Sequence, residues 1–580
     1  MGPQGHADDS LTTSRSETDA RADFAGTLQF AVADHARRFR LDSESANLLQ
    51  AFLHKRTAPV YGELRNSGRL IARCFKRGKN QWQAFCDALK QLEPFRAASN
   101  EMLLCFMKRP RLLSLRDDKQ WRHATANRIS GLVAYEISLR GETLHTNLVS
   151  PLEAVAQNRD FKQVLARFVK RAGLTAEQAR DSDLVVREYE TDQFWIELAK
   201  PNRPAVRLFR GCRLVPIDDI CQESVKALEG LLSEYLLRSV HAGGRMTYLY
   251  YPSRGTEDLS RNNAIRQWMA SRALISIWRR TRAESLLPVI RQNINYNLNA
   301  MYREEGSLGL ILDGVKVKLG ATALAALALL ECPFHREFVT LQDRLIATTV
   351  ALWQNNGQFR TFYRPSDRMD CQNFYPGEAL LLWSNQIVQT RDRDLEQRFW
   401  KSFDFYQSWH LANRNPAFIP WHTQAYLTLW KVTGDDRLVR AVFEMNDWLL
   451  AVQQWETAPT DDCRGRFYDP ERPFGPPHAS STGVYLEGLA DAFAVAKQLR
   501  DEQRMRAYRM AIVRGLRSVA QLTFKNESDM FFATKRRFLR GGVRTSEYSN
   551  SVRVDNVQHC LLAIQKALEV LDERDFEIPW

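Results

Sequence analysis

Two kinds of helix alternate along roughly the last 360 residues, and that alternation limits the fold more than any other feature. In EFVTLQDRLIATTVALWQ, Phe338, Leu341, Leu345, Leu352 and Trp353 form one apolar face opposite a polar one. The second member of each pair is instead apolar or small nearly all round, as in LGATALAALALL at 319–330. Such a helix is stable only when buried on every side. Six pairs follow this rule. Outer members lie near 223–241, 284–302, 337–355, 393–411, 436–453 and 501–523. Inner members begin near Asn263, Lys318, Tyr375, Trp421, Ser480 and Asp555. Repeats of outer and inner helices predict a closed or superhelical array, and six pairs is the number that closes an (α/α)6 toroid. An open HEAT-like solenoid is the rival; it requires neither so apolar a second helix nor polar residues gathered at that helix's start.

Loop lengths point the same way. The chain turns tightly after each inner helix and makes a long excursion before each, at 242–261, 303–317, 356–373, 412–420, 455–479 and 524–553. Helix pairs pointing one way place all the long loops on one face, where binding residues usually ride. Three excursions share a phrase, GRMTYLYYP, GQFRTFYRP and GRFYDPERP, starting at Gly244, Gly357 and Gly465.

Ahead of the repeats the texture differs. Residues 1–23 are polar and read as a disordered tail without an apolar leader core, which gives an expectation of the cytoplasm. Residues 24–111 read as a basic helical segment through DFAGTLQFAVADHARRF and QWQAFCDALKQL. Between Arg37 and Arg111 it holds 16 Lys/Arg against 6 Asp/Glu, most of the chain's net +13. That excess is either a solvated surface or a docking face for a polyanion or acidic protein. Residues 112–222 read as a small α+β domain: GLVAYEISLRGETLHTNLVS folds back on an Arg-Gly-Glu turn, a helix follows at FKQVLARFVKRAGL, and DLVVREYET, FWIEL and AVRLFRGCRLVP are further strands. The expected class is thus mainly α, an (α/α)6 toroid over 223–580 preceded by a small α+β domain and an N-terminal helical segment.

The inner helix starts collect polar side chains that six converging elements bring round one cup. Glu378, Glu487 and Asp555 are candidate acids and bases, and His422 and His559 alternative proton carriers. Asn263, Arg266, Gln267, Lys318, Asn373, Gln424, His478, Arg544 and Arg553 are candidates to bind a substrate, with Tyr375, Trp421 and Tyr485 as aromatic platforms. Each has a structural reading too. Asn373, Ser480 and Asp555 are good N-cap types. Glu378 and Glu487 could pair with Arg266, Lys318 or Arg553, and either histidine could be a hydrogen-bonded core residue. Platforms plus carboxylates and amides suit a sugar: a carboxylate pair serves glycoside hydrolysis, a histidine pair proton transfer beside a carbonyl.

Other chemistries find less. There is no HExxH, GxxxxGK, GxSxG or helix-opening GxGxxG. The nine Cys include no CxxC pair, so neither metal nor cofactor is expected, although Cys371, Cys463 and Cys560 leave open a Cys/His zinc centre assembled across repeats. No apolar run approaches the ~18 residues of a membrane span.

The stretches QNFYPGEALLLW, FIPWHTQAYLTLWKVTGDDRLVRAVFEMNDWLL and ASSTGVYLEGLADAFAVA resemble the six-hairpin toroid superfamily of six-hairpin glycosidases, N-acylglucosamine 2-epimerase-like proteins and unsaturated glucuronyl hydrolases. No single family's catalytic signature is matched. The resemblance implies the toroid over about 223–580 and carbohydrate chemistry of glycosidase or epimerase type. The substrate is then a small or oligomeric sugar, and an anionic one if the basic loop Lys525–Arg553 bears on it. The alternative is a non-catalytic toroid scaffold that binds a polyanion, peptide or protein partner through its basic N-terminal helices.

Overall fold

The computed structural model describes residues 28–29, 31–32, 53–114, 130–139, 146–175, 184–200, 203–472 and 474–577. The tail expected at 1–23 and the Arg-Gly-Glu turn at 140–142 lie outside them. The chain forms two compact units, one of Met1–Leu214 with Asn526–Arg536, the other of Val215–Lys525 with Arg537–Trp580.

The first unit is built on one antiparallel seven-stranded sheet. Its strands are β1 (Val60–Asn66), β2 (Arg69–Lys76), β3 (Glu101–Leu113), β4 (Val133–Leu139), β5 (Thr146–Val149), β6 (Leu184–Glu197) and β7 (Val206–Leu208), in the order β2-β1-β3-β6-β4-β5 with β7 also on β6. This corrects the expectation for 24–111: its described part supplies three strands of that sheet and one long helix, α1 (Gln81–Leu92). The reason is local. Two alternating runs flank Ser67 and Gly68, whose φ values of +46° and +87° make the two-residue hairpin turn joining β1 to β2. DLVVREYET and FWIEL are likewise one continuous strand, β6. The β3–β6 ladder slips between Met107 and Pro110, where proline has no N–H to donate. Ala84, Phe85, Ala88 and Leu89 of α1 pack in one apolar cluster with β1 and β3. The helix α2 (Pro151–Ala156) precedes α3 (Phe161–Arg171), which is closed by an Asp160–Gln163 capping box and packs Phe161, Val164 and Phe168 in a second cluster with β4 and β5.

The second unit is the toroid. Its outer helices are α4 (Gln222–Arg238), α6 (Leu287–Met301), α8 (Val339–Ala351), α10 (Arg393–Ala412), α12 (Asp436–Leu450) and α14 (Glu502–Leu522). They alternate with inner helices α5 (Ala264–Thr281), α7 (Leu319–Glu331), α9 (Tyr375–Thr390), α11 (Ile419–Thr433), α13 (Ala479–Leu499) and α15 (Val554–Val570). Every residue of α7 from Leu319 to Leu329 is buried, as its composition demands. Each inner helix packs on the next, and α15 packs on both α5 and α4. The ring therefore closes, which an open solenoid cannot do.

The inner helices run parallel, because neighbours touch at their first turns. Side chains added at Gly320, Gly377 and Gly483 would collide with Glu378, with Trp421 and His422, and with the backbone at His559 and Cys560. The long excursions share a device as well. Val240 bridges Met246, Trp353 bridges Phe359, Gln453 bridges Phe467 and Thr523 bridges Val543. In each case the second residue lies two beyond a glycine of positive φ, namely Gly244, Gly357, Gly465 or Gly541. A Cβ there would strike a main-chain carbonyl of another outer helix, at Gln292, Lys401, Arg514 or, closing the circle, Leu231. The phrase repeated three times in the sequence is this turn, and Gly541 adds a fourth copy.

Candidate functional site

At the mouth of the ring three groups of side chains adjoin. In the first, Asp555 is gripped by two arginines. Arg553 donates to both carboxylate oxygens at 3.0 and 2.7 Å, and Arg266 Nε lies 3.0 Å from Oδ2. Burial alone would raise the Asp555 pKa, but Arg266 and Arg553 reverse that and hold it below the ordinary value. Arg266 also donates to the Tyr248 hydroxyl. His478 stands beside this cluster with Nδ1 buried and unpartnered, and burial followed by the Arg553 charge pushes its pKa down to about 4.

The second group centres on Glu378, in the first turn of α9 and 3% exposed. Its Oε2 is buried without a hydrogen-bond partner and lies against Gly320. Burial lifts its pKa to about 8, opposed by the charges of Arg272 and Lys318. Lys318 is itself paired with Asp313. Glu378 therefore carries its proton at neutral pH, poised to give it up.

The third group is a carboxylate–imidazole pair. Glu487 Oε1 lies 2.8 Å from His559 Nδ1, and the Trp421 ring meets the imidazole edge-on at 74° with centroids 6.1 Å apart. An ionised Glu487 can only accept, so the neutral tautomer matched to it has its proton on Nδ1 and leaves Nε2 as the basic nitrogen. Electrostatics join the groups: Asp555 feels His559, and Arg272 feels both Glu378 and Glu487. Arg272 was not among the residues expected from sequence. It makes a two-pronged bond to Glu331 at 2.8 and 2.7 Å, from the inner helix α5 to the end of α7. The available signal was one guanidinium inside the apolar run MASRALISIW, with a carboxylate ending LGATALAALALLE.

Several expected residues serve the fold instead. His422 is fully buried, its Nδ1 2.8 Å from the Phe418 carbonyl and its ring stacked on Phe418 at 3.5 Å. Burial lowers its pKa to about 3, so it is a neutral core residue and no proton carrier at the cup. Asn263 caps α5, accepting from the Arg266 N–H. Gln267 bonds to Asn262 and the Met246 carbonyl, which fastens the first excursion. Gln424 donates to Pro420 in its own helix. Tyr485 is buried against Phe467, and Arg544 is buried with its guanidinium over Phe524. Asn373 keeps a buried, unpartnered Oδ1 near the start of α9, and Tyr375 lines the same turn against Phe362. Cys371, Cys463 and Cys560 bond to separate partners, and among the described residues no three His, Cys, Asp or Glu are grouped as metal ligands. Among them too, no helix is long and apolar enough to cross a membrane.

No family model matches the sequence, and no curated protein does. Solved structures do align with it. An α-1,6-mannanase from Salegentibacter sp. HEL1_6 is 11% identical over 60% of this chain and 100% of its own, with a TM-score of 0.45. An unsaturated glucuronyl hydrolase specific for heparin is 10% identical over 60% and 97%, at 0.43. Cellobiose 2-epimerase from Bacillus thermoamylovorans B4167 is 12% identical over 59% and 98%, at 0.44. Likeness this distant says nothing about chemistry. The toroid itself is established by the closed ring of inner helices.

Proposed function

We propose that the toroid is a carbohydrate-active enzyme whose cup works by acid–base chemistry on an anionic sugar. The observation that carries this reading is Glu378, a buried carboxyl that keeps its proton to about pH 8 and shares the field of Arg272 with the Glu487–His559 pair. Glu378 is then the general acid. His559, oriented by Glu487, is the base. Trp421, buried edge-on against His559, backs the base. Asp555, held ionised by two arginines, is a positioning residue; because Arg266 and Arg553 outnumber it, the cluster suits a carboxylate or sulfate on the substrate. Proton abstraction beside a carbonyl, as in epimerisation, is the second reading, and the carboxylate-oriented imidazole is what favours it.

The test is a panel of neutral, uronic and sulfated oligosaccharides, read by mass spectrometry for cleavage and by NMR in D2O for proton exchange at carbon. Glu378→Gln and His559→Ala should each lower kcat by about 10²–10⁴-fold while keeping a single cooperative melting transition. Asp555→Asn should act mainly on KM. Full turnover in Glu378→Gln would overturn the assignment. Cleavage without exchange selects hydrolysis, and exchange without cleavage selects epimerisation.

A further inference from the structure

The first unit contains a cleft of about 340 Å³ that the toroid chemistry does not use. It lies where the two edge strands of the sheet, β2 and β5, come to face each other without pairing, with α2 and α3 along its side. Four arginines line it, Arg73, Arg159, Arg167 and Arg171, against one carboxylate, Glu153. A chain of contacts fixes part of this rim. Arg73 Nη1 lies 2.8 Å from Glu153 Oε1, Gln157 Nε2 donates to the same oxygen at 2.9 Å, and Arg167 Nη1 donates to Gln157 Oε1 at 3.2 Å. Arg159 and Arg171 form no ion pair among the described residues. The floor is apolar, with Phe75, Val149 and Val164.

An excess of guanidinium over carboxylate around a half-open cleft concentrates positive potential there and favours an anion among the arginines. The Arg159 pKa reflects this, being lowered by burial and then by repulsion from Arg167 and Arg171. Guanidinium forks match the oxygens of phosphate two at a time. The opening suits a small molecule rather than a duplex, since ligand clefts of about 300–1,000 Å³ take drug-sized compounds. We infer that this cleft is a binding site for a phosphorylated small molecule carrying two to four negative charges, its phosphates on Arg159, Arg167 and Arg171 and its less polar part on the Phe75–Val149–Val164 floor.

Calorimetric titration of the full chain with ATP, inorganic tripolyphosphate, AMP and adenosine tests this. ATP should bind at least tenfold more tightly than AMP, and adenosine should not bind. The exposed double variant Arg167→Glu/Arg171→Glu should weaken ATP by at least tenfold with an unchanged melting curve. Lys170→Glu alters charge on the same helix without lining the cleft, and should change affinity less than twofold. Tripolyphosphate binding as well as ATP means the phosphates alone are recognised, whereas a clear preference for ATP means the floor contributes; both support the site. Failure of every phosphate compound to bind would overturn it. Equal loss in Lys170→Glu, or binding of a single-stranded oligonucleotide without binding of the small anions, would overturn it too, because either would mark a diffuse basic surface.

Discussion

At the scale of single residues, burial decides which ionisable groups can act. Glu378 in the folded chain holds its proton to about pH 8, while the unfolded chain releases it near the ordinary 4.5. Between those values the folded state binds the extra proton, so stability falls as pH rises from 4.5 to 8 and is level beyond. The span corresponds to about 5 kcal/mol at most. Glu378→Gln should therefore flatten the stability–pH curve over that range and melt above wild type at pH 9; a parallel shift at all pH values would contradict it. His422 works in the opposite sense. Its folded pKa of about 3 lies below the ordinary 6.5, so its contribution is intact above pH 6.5 and is lost as pH falls toward 3. His422→Phe gives up one hydrogen bond, costing about 1 kcal/mol at pH 7. At pH 4.5 it removes a penalty of about 3 kcal/mol, so the variant should be the more stable protein there. Thermal melts at both pH values check the crossing. Sequence could nominate both residues but not separate them. Each is a polar group at the head of an apolar helix, and the difference comes from Phe418, which stacks on the imidazole and offers it a carbonyl.

At the scale of elements, the helix pairs were legible because burial on all sides and burial on one side leave different compositions. Inner helices could be recognised even where boundaries were off by a few residues. The β1–β2 hairpin was legible in principle, since Asn66-Ser67-Gly68 sits between alternating runs, but the density of arginine there draws the eye to charge instead of periodicity. The Arg272–Glu331 bond was out of reach for another reason: its partners are 59 positions apart and meet only when two inner helices pack. The glycine turn lies between these cases. Three copies show as a phrase, while the fourth, at Gly541, has lost the Tyr and Pro and keeps only the backbone device. What the device needs is a positive φ and no Cβ against the next outer helix, so Gly357→Ala meets both a strained φ of +93° and the Lys401 carbonyl. We expect a loss of about 2–4 kcal/mol, measured by urea denaturation. Gly314→Ala, also at positive φ but with open space around it, should cost only about 1 kcal/mol. Equal costs would mean that the backbone angle alone matters and the close approach does not.

At the scale of the whole molecule, the chain crosses between its units more than once. The segment Asn526–Arg536 leaves the last excursion of the toroid, belongs to the first unit, and returns. It is not a loose strap. Met530, Phe531 and Phe532 are buried, and the Arg65 guanidinium lies over the Phe531 ring. Gly68 presses against the Ala533 carbonyl, where any side chain would collide, and Gly211 lies close to the Phe531 ring. Arg536 spans both oxygens of Glu101, at 2.5 and 2.7 Å, from a carboxylate only 3% exposed. Removing this segment leaves Glu101 buried without its partner, and an unpaired buried charge costs about 3–5 kcal/mol, before counting the apolar area of three aromatic and aliphatic side chains. Residues 1–214 expressed alone should consequently be poorly stable or molten. The same fragment with 526–536 joined through a flexible linker should recover a cooperative thermal transition and dispersed amide resonances. Carrying Arg536→Ala in the graft should reverse most of the gain, whereas Lys535→Ala, one residue away and without that carboxylate, should not. If the bare 1–214 fragment melts as sharply as the grafted one, the first unit does not depend on a segment that follows it by some 300 residues.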